Sequence, residues 1–250
     1  AGSAPYQKRA EMVTGHAEPR RWLDAGGGHG HFCCVAREVW PDCSFEASDL
    51  SVSVEAAERR GWVDRGWRGA LPDLAGELEG RFDVVSMSHV LEHAPEQAPE
   101  IEAAHRVLAP GGLLLAEVPD PDCPWGRILG RWWLPWFQPQ HLNLAPLPVL
   151  TERIEAGGFE IVATHRREAA LPVDLLYAAI VLVNRAAGQL DKPWLPPTTP
   201  ARRRAHGAVW LVGLPVLAVA ALLDRILFPL VSRIAPGNNM RVLARRVEGA

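Results

Sequence analysis

Through its first half the chain alternates short apolar runs with stretches whose apolar positions recur at helical spacing. Arg21-Trp22-Leu23-Asp24-Ala25 is a short run that breaks into glycines, and residues 31–39 then space their side chains as a helix, stopped by Trp40-Pro41. Residues 44–47 predict a second strand, and 51–60 a second helix that ends at Gly61, with Ser51 as its N-cap. Residues 81–87 are apolar and β-branched, as a strand requires. A helix over 96–108 follows, then the turn formers Ala109-Pro110-Gly111-Gly112, then a strand of the fully buried type over 113–118. Such alternation predicts βαβ units and a parallel sheet covered on both faces.

The pattern changes after Pro119. Residues 119–140 are rich in Pro, Gly and Trp and predict a long loop with short helices. A helix over 148–156 closes at Gly157-Gly158, and residues 159–163 and 239–244 predict two further strands. Between those strands lie two apolar helices, near 173–183 and 208–231, separated by the proline-rich segment 192–200. The expected organisation is an α/β domain over 1–167, an apolar helical insertion over 168–237, and a final strand over 238–250 that completes the sheet.

Composition alters this picture little. Apolar residues make up 48% and charged residues 22%, enough for a large core without disulfide or metal support. The net charge of −3 gives no reason to expect nucleic acid. Cys33, Cys34, Cys43 and Cys123 contain no C-x-x-C pair, which suits a reducing cytoplasm, and the first residues lack the apolar core of a signal peptide. The chain has 10 Trp against 2 Tyr, and Trp125, Trp132, Trp133 and Trp136 crowd one short stretch.

Ligands of open α/β sheets sit at the carboxyl ends of strands, where strand order reverses. The first strand here runs into Asp24-Ala25-Gly26-Gly27-Gly28-His29-Gly30. Glycines permit a tight turn and bring bare backbone against a ligand, beside the unpaired amides of the next helix. A dinucleotide fingerprint, G-x-G-x-x-G or a terminal Ala, fails here: from Gly26 its last position falls on His31, and from Gly28 on Cys33. A P-loop is absent. The second strand ends near Asp49, whose carboxylate can accept hydrogen bonds from both hydroxyls of a ribose; Glu46, inside the strand, is the weaker candidate.

Leu-Asp-Ala-Gly-Gly-Gly-His-Gly at 23–30 resembles the first motif of class I methyltransferases that use S-adenosylmethionine (SAM), and Ala47-Ser48-Asp49-Leu50-Ser51 resembles their second-strand acidic motif. Phe82-Asp83-Val84-Val85, Val90-Leu91-Glu92-His93 and Arg106-Val107-Leu108-Ala109-Pro110-Gly111-Gly112 resemble the fourth- and fifth-strand segments. Pro139-Gln140-His141-Leu142-Asn143 and Ala156-Gly157-Gly158-Phe159 resemble downstream pieces of the small-molecule branch, of the type found in ubiquinone biosynthesis. The likeness covers residues 20–165 and the last strand, with the pieces in order. It implies a Rossmann-like, seven-stranded, mostly parallel sheet with an antiparallel last strand. It also implies that Asp24 and Gly26, Gly28 and Gly30 hold the methionine part of SAM, that Asp49 holds its ribose, and that Leu50 flanks the adenine. Ser88 and His89 would face cofactor or acceptor. Residues 61–80 match poorly, so the group that reads the adenine edge has no assignment.

Methyl transfer from a sulfonium is an in-line displacement by an already activated donor, so the protein chiefly positions the reactants and excludes water. An oxygen acceptor must also lose a proton, and His141, His93 and His89 are the candidate bases, His141 first because it follows the Trp-rich loop. Glu92 and His93 side by side do not make a metal site, and none is expected.

Residues 208–223 carry no charged side chain, but Asp224 and Arg225 interrupt the run before it reaches spanning length. The insertion therefore reads as a lid lining an apolar acceptor pocket, as a membrane-surface element with tryptophan anchors, or as a homodimer interface. All three favour a hydrophobic small-molecule or lipid-linked acceptor; the expected setting is the cytoplasm, with membrane-surface contact under the second reading. The leading function is O-methylation of such an acceptor, ahead of N- or C-methylation; the alternative is a non-catalytic scaffold of the same fold.

Overall fold

The computed structural model describes residues 3–136, 140–169, 171–191 and 195–247. Its strands are β1 Arg21–Ala25, β2 Ser44–Asp49, β3 Arg65–Arg68, β4 Phe82–Ser88, β5 Leu108–Pro119, β6 Phe159–His165 and β7 Asn239–Arg246. They form one sheet in the order β3-β2-β1-β4-β5-β7-β6. The first five run parallel, and β7 lies antiparallel between β5 and β6. This is the expected Rossmann-like class I methyltransferase architecture, with the apolar insertion between the last two strands.

Helices α1 Ala4–Glu11, α2 His31–Val39, α3 Ser53–Arg59, α4 Leu71–Leu74, α5 Ala98–Val107, α6 Pro124–Leu129 and α7 Leu147–Ala156 belong to the α/β body. Alternation along the strands divides its apolar interior in two. Leu23, Val85 and Leu114 join Ile101 and Ile154 on one face, while their neighbours Trp22, Val84 and Leu115 join Phe32 and Phe45 on the other.

Several expectations shift in detail. Residues 109–112 do not end one element and begin another: β5 starts at Leu108, and these residues loop out of register between the pairs Phe82–Leu108 and Val84–Leu113. Gly111 supplies the positive φ of +73° that this bulge needs. The helix expected over 51–60 begins at Ser53, whose amide donates to the Ser51 hydroxyl at 3.2 Å. The poorly matched 61–80 region holds β3 and the short α4. Pro139 and residues 192–194 lie outside the described residues.

The insertion consists of α8 Asp174–Ala187 and α9 Pro200–Ile234, both longer than their apolar runs suggested. Thr199 accepts from the Arg202 amide and Pro200 occupies the first helical position, so α9 starts early and takes Arg202, Arg203 and Arg204 inside it. Two buried acids fasten the insertion. Asp174 accepts from Trp133 Nε1 at 2.8 Å and from Asn238 Nδ2 at 2.9 Å, tying α8 to the Trp-rich loop and to β7. Asp224 of α9 accepts the Leu175 and Leu176 amides at 3.0 and 2.8 Å, capping the first turn of α8.

Candidate active site

The sheet order reverses at β1, which pairs with β2 on one side and β4 on the other. At the carboxyl ends of these strands the glycine turn folds back on β2. The Gly26 and Gly27 amides donate to Ser48 O at 2.8 and 3.1 Å, and the Gly28 amide donates to Asp49 Oδ2 at 2.9 Å. Gly26 is required twice over. Its φ is +73°, and a Cβ there would lie 2.4 Å from Val90 Cγ2. Gly30 caps α2 at φ +75° and packs against Ala57, which seats the helix against α3.

A crevice of about 270 Å³ opens over this turn, walled by Gly26, Asp49, Leu50, Leu71, His89 and His93 among others. Leu50 is 73% exposed at the rim. Gly69, Ala70 and Leu71, just after β3, complete the wall on the side that sequence comparison left unassigned. Asp49 Oδ1 accepts the Ser51 amide at 2.7 Å. With up to four acceptor sites on a carboxylate, capacity remains for ribose hydroxyls.

Asp24 lies beneath the turn. Burial pushes its carboxyl up to about 6, against the opposing influence of the 2.6 Å hydrogen bond from Ser86 Oγ and the charge of Arg9. A bound cation would favour its ionised form. Bare glycine backbone, the Asp49 carboxylate and this polarisable acid thus fit the amino-acid and ribose ends of SAM. The Ser88 hydroxyl, at the end of β4, is buried with no hydrogen-bond partner among the described residues.

His89 is the hinge of the site. It adopts φ +55°, a strained conformation for a side-chain-bearing residue. Its Nδ1 meets Glu92 Oε1 at 2.9 Å and its Nε2 faces Glu117 Oε1 at 3.5 Å, while 41% of the side chain stays open to solvent. Burial of the nitrogens would lower its pKa, but the two carboxylates outweigh that and raise it to about 9. Behind it, Arg9 of α1 donates to Glu117 at 2.7 and 3.2 Å, and Arg241 of β7 also binds Glu117. Burial works against the Glu117 charge; the His89 bond and the two arginines prevail and hold it well below the usual carboxylate range. Arg9 and Glu117 were not singled out from the sequence. Residues 108 positions apart carry no local signal of pairing.

His93 and His141 come together edge to face, with ring centroids 4.6 Å apart. His93 Nδ1 donates to Gln140 O at 3.0 Å and His141 Nδ1 to Pro135 O at 2.7 Å. The Leu142 and Asn143 amides donate to Glu92 O, and Asn143 Nδ2 donates to Ala94 O, so the two motifs lock together. One ligand atom each from Glu92, His93 and His141 falls within 4.8 Å of the others, a set able to hold a divalent ion. Sequence alone offered only the first two as neighbours.

A second cavity of about 220 Å³ lies beyond His89, lined by Trp133, Leu134, His141, Tyr177 and Asn239 among others. Leu134 also borders an apolar groove of about 800 Å³ running along Ile180 and Val181 of α8.

This fold and crevice define a class I SAM-dependent methyltransferase, and they assign SAM as the cofactor. The chain belongs to the methyltransferase domain family, which matches residues 4–164. Trans-aconitate 2-methyltransferase of Mycobacterium sp. (strain KMS) is 34% identical over 107 residues, 42% of this chain and 41% of that protein. Ubiquinone biosynthesis O-methyltransferase of Azotobacter vinelandii is 51% identical over 39 residues, 16% of this chain and 17% of that protein. The chain therefore matches these curated relatives over 41% of their length or less. A SAM-dependent methyltransferase structure from Archaeoglobus fulgidus shares the fold, with a TM-score of 0.61 at 14% identity, covering 98% of this chain and 95% of that one.

Proposed function

We propose that the protein methylates an oxygen of a hydrophobic small molecule or lipid-linked acceptor, in the cytoplasm at a membrane surface. One observation carries the reading: His89 belongs to the walls of both the cofactor crevice and the apolar cavity against the insertion. Reactants on either side of it would meet there. The stretch 51% identical to the ubiquinone-biosynthesis enzyme supports an oxygen on a ring of quinone type.

SAM supplies a methyl group already activated on sulfur. The chain's own groups then have separate tasks. Asp24 and the backbone of Gly26, Gly28 and Gly30 hold the amino-acid end, with Asp49 on the ribose and Leu50 against the base. His141 takes the acceptor proton, its ring oriented by the 2.7 Å hydrogen bond from Nδ1 to Pro135 O. His93 steadies that ring from its edge. His89, with a pKa near 9, stays charged at neutral pH and serves as a fixed positive post between the sites rather than as the base. Trp133, Leu134 and Tyr177 exclude water from the acceptor.

The test is methyl transfer from radiolabelled SAM to a panel of phenols and catechols with and without long alkyl chains, beside polar carboxylic acids. Faster labelling of the long-chain phenols is expected, with His141→Ala slowing turnover roughly 10²-fold or more while SAM still binds. Equal use of polar acids would refute the acceptor class. SAM binding without transfer to any of them would favour the scaffold reading.

A further inference from the structure

Helix α9 is apolar on nearly every side, yet only one side is covered. Gly213, Ala220 and Asp224 are buried in a stripe along α8, where a Cβ on Gly213 would lie 2.8 Å from Val183 Cγ2. Away from that stripe, Leu211, Val212, Val219, Leu222, Leu223 and Ile226 are between 42% and 76% exposed. An 18-residue stretch of α9 has a mean hydropathy of 2.1 and is only 17% buried. The charge-free run over 208–223 is about 24 Å long at 1.5 Å per residue.

The charges around this face are sorted by sign. Asp224 would be costly in an apolar phase, but it is turned inward and capped onto α8, 3% exposed. Asp174 is buried too, and Asp191 is paired with Arg203 at 2.8 Å. Arg202, Arg204, Arg225 and Arg233 all remain exposed. With 3.6 residues per turn, Arg204, Leu211, Leu222 and Arg233 point within about 40° of one another. The uncovered side is therefore an apolar strip with cations at both ends, complementary to a surface whose outer layer is anionic and whose interior is hydrocarbon.

A crossing orientation does not suit it. α8 lies alongside with Asn184 and Arg185, and Arg185 stacks over Trp132 at 5.6 Å, so a crossing helix would carry these polar groups into hydrocarbon. We propose that α9 lies in the plane of an anionic phospholipid bilayer, its Leu211–Leu222 side submerged and its arginines on the phosphates. The groove along α8 then opens beside the lipid, and the acceptor enters from the bilayer. Only this last clause rests on the methyltransferase reading; the docking itself does not.

The test is co-sedimentation of the purified chain with phosphatidylcholine vesicles, alone or with about a third phosphatidylglycerol. SAM titration by calorimetry accompanies each variant. Expected are binding to the mixed vesicles, at least roughly tenfold weaker binding to the neutral ones, and release by alkaline carbonate. Leu222→Glu should abolish sedimentation. The combined R204Q, R225Q and R233Q variant should reduce it roughly a hundredfold, at about fivefold per charge. Both variants should keep wild-type SAM affinity, which shows that they fold. Three outcomes would overturn the proposal: wild type that binds SAM but stays with the supernatant, vesicle binding that resists carbonate, or a dimer dispersed by Leu222→Glu with no vesicle binding. Vesicle binding without SAM binding would sustain the docking and defeat the methyltransferase reading instead.

Discussion

Asp49 lines the crevice at the end of β2 and Asp24 lies buried beneath the glycine turn, and their surroundings give them different behaviour. Asp24 is buried, and its carboxyl is lifted to about 6. Below that value it is mostly protonated in the free protein, and a bound SAM cation would have to expel the proton. SAM affinity should therefore rise as the pH climbs from about 5 toward 7, with proton release below about 6. Calorimetry in buffers of different ionisation enthalpy reads this directly; enthalpies independent of buffer near pH 5.5 would contradict it. Asp49 already bridges Gly28 and Ser51. Asp49→Ala should weaken SAM binding by about 1–3 kcal/mol, and unchanged affinity in a folded variant would remove its ribose role. Both acids were legible in the sequence because each sits at a strand end beside turn residues. The charged state of His89 was not legible, since it depends on Glu117, supplied by a different strand.

Helices and strands were legible to the extent that their signals are local. The glycine turn, α2, β4 and α5 follow from periodicity and stop residues. α1 escaped notice because it is short and weakly amphipathic; Arg9 reaching the sheet anchors it, beside Tyr6 and Ala10 packed on the core. The insertion was recognisable from hydropathy, but Asp224 read as an interruption of an apolar run. In the structure it caps the neighbouring helix, which satisfies its buried carboxylate. Asp224→Ala should destabilise the α8–α9 pair by about 0.5–2 kcal/mol through loss of the cap, while Asp224→Asn should recover part of that. Hydrogen exchange at the Leu175 and Leu176 amides is the sensitive measurement. Protection there that matches wild type in Asp224→Ala would show that the cap contributes nothing.

Across the whole molecule, Glu117 links elements far apart in the chain. Arg9 from α1, Arg241 from β7 and His89 from the end of β4 converge on its two oxygens. A charge cluster of this burial adds little over an apolar core, but breaking it is costly because it strands a charge. Arg9→Ala should lower unfolding stability by about 3 kcal/mol; Arg241 and His89 remain to compensate, which keeps the loss near the lower end for buried pairs. Denaturant titration followed by both fluorescence and circular dichroism is the measurement, and a loss under about 0.5 kcal/mol would show the cluster to be incidental.

The place of β7 has a consequence for how the chain comes off the ribosome. It follows the other six strands of the sheet in the chain, yet it fills the gap between β5 and β6. Until it emerges, the first five strands end in an open edge at β5, and β6 waits without β7, its one neighbour. During that interval the nascent chain displays an unfinished sheet and the apolar α8–α9 pair together, the combination most prone to mispairing with other chains. A nearby lipid surface that takes up α9 first would leave only the strand edge to protect, and β7 would then close the sheet with α9 already in position.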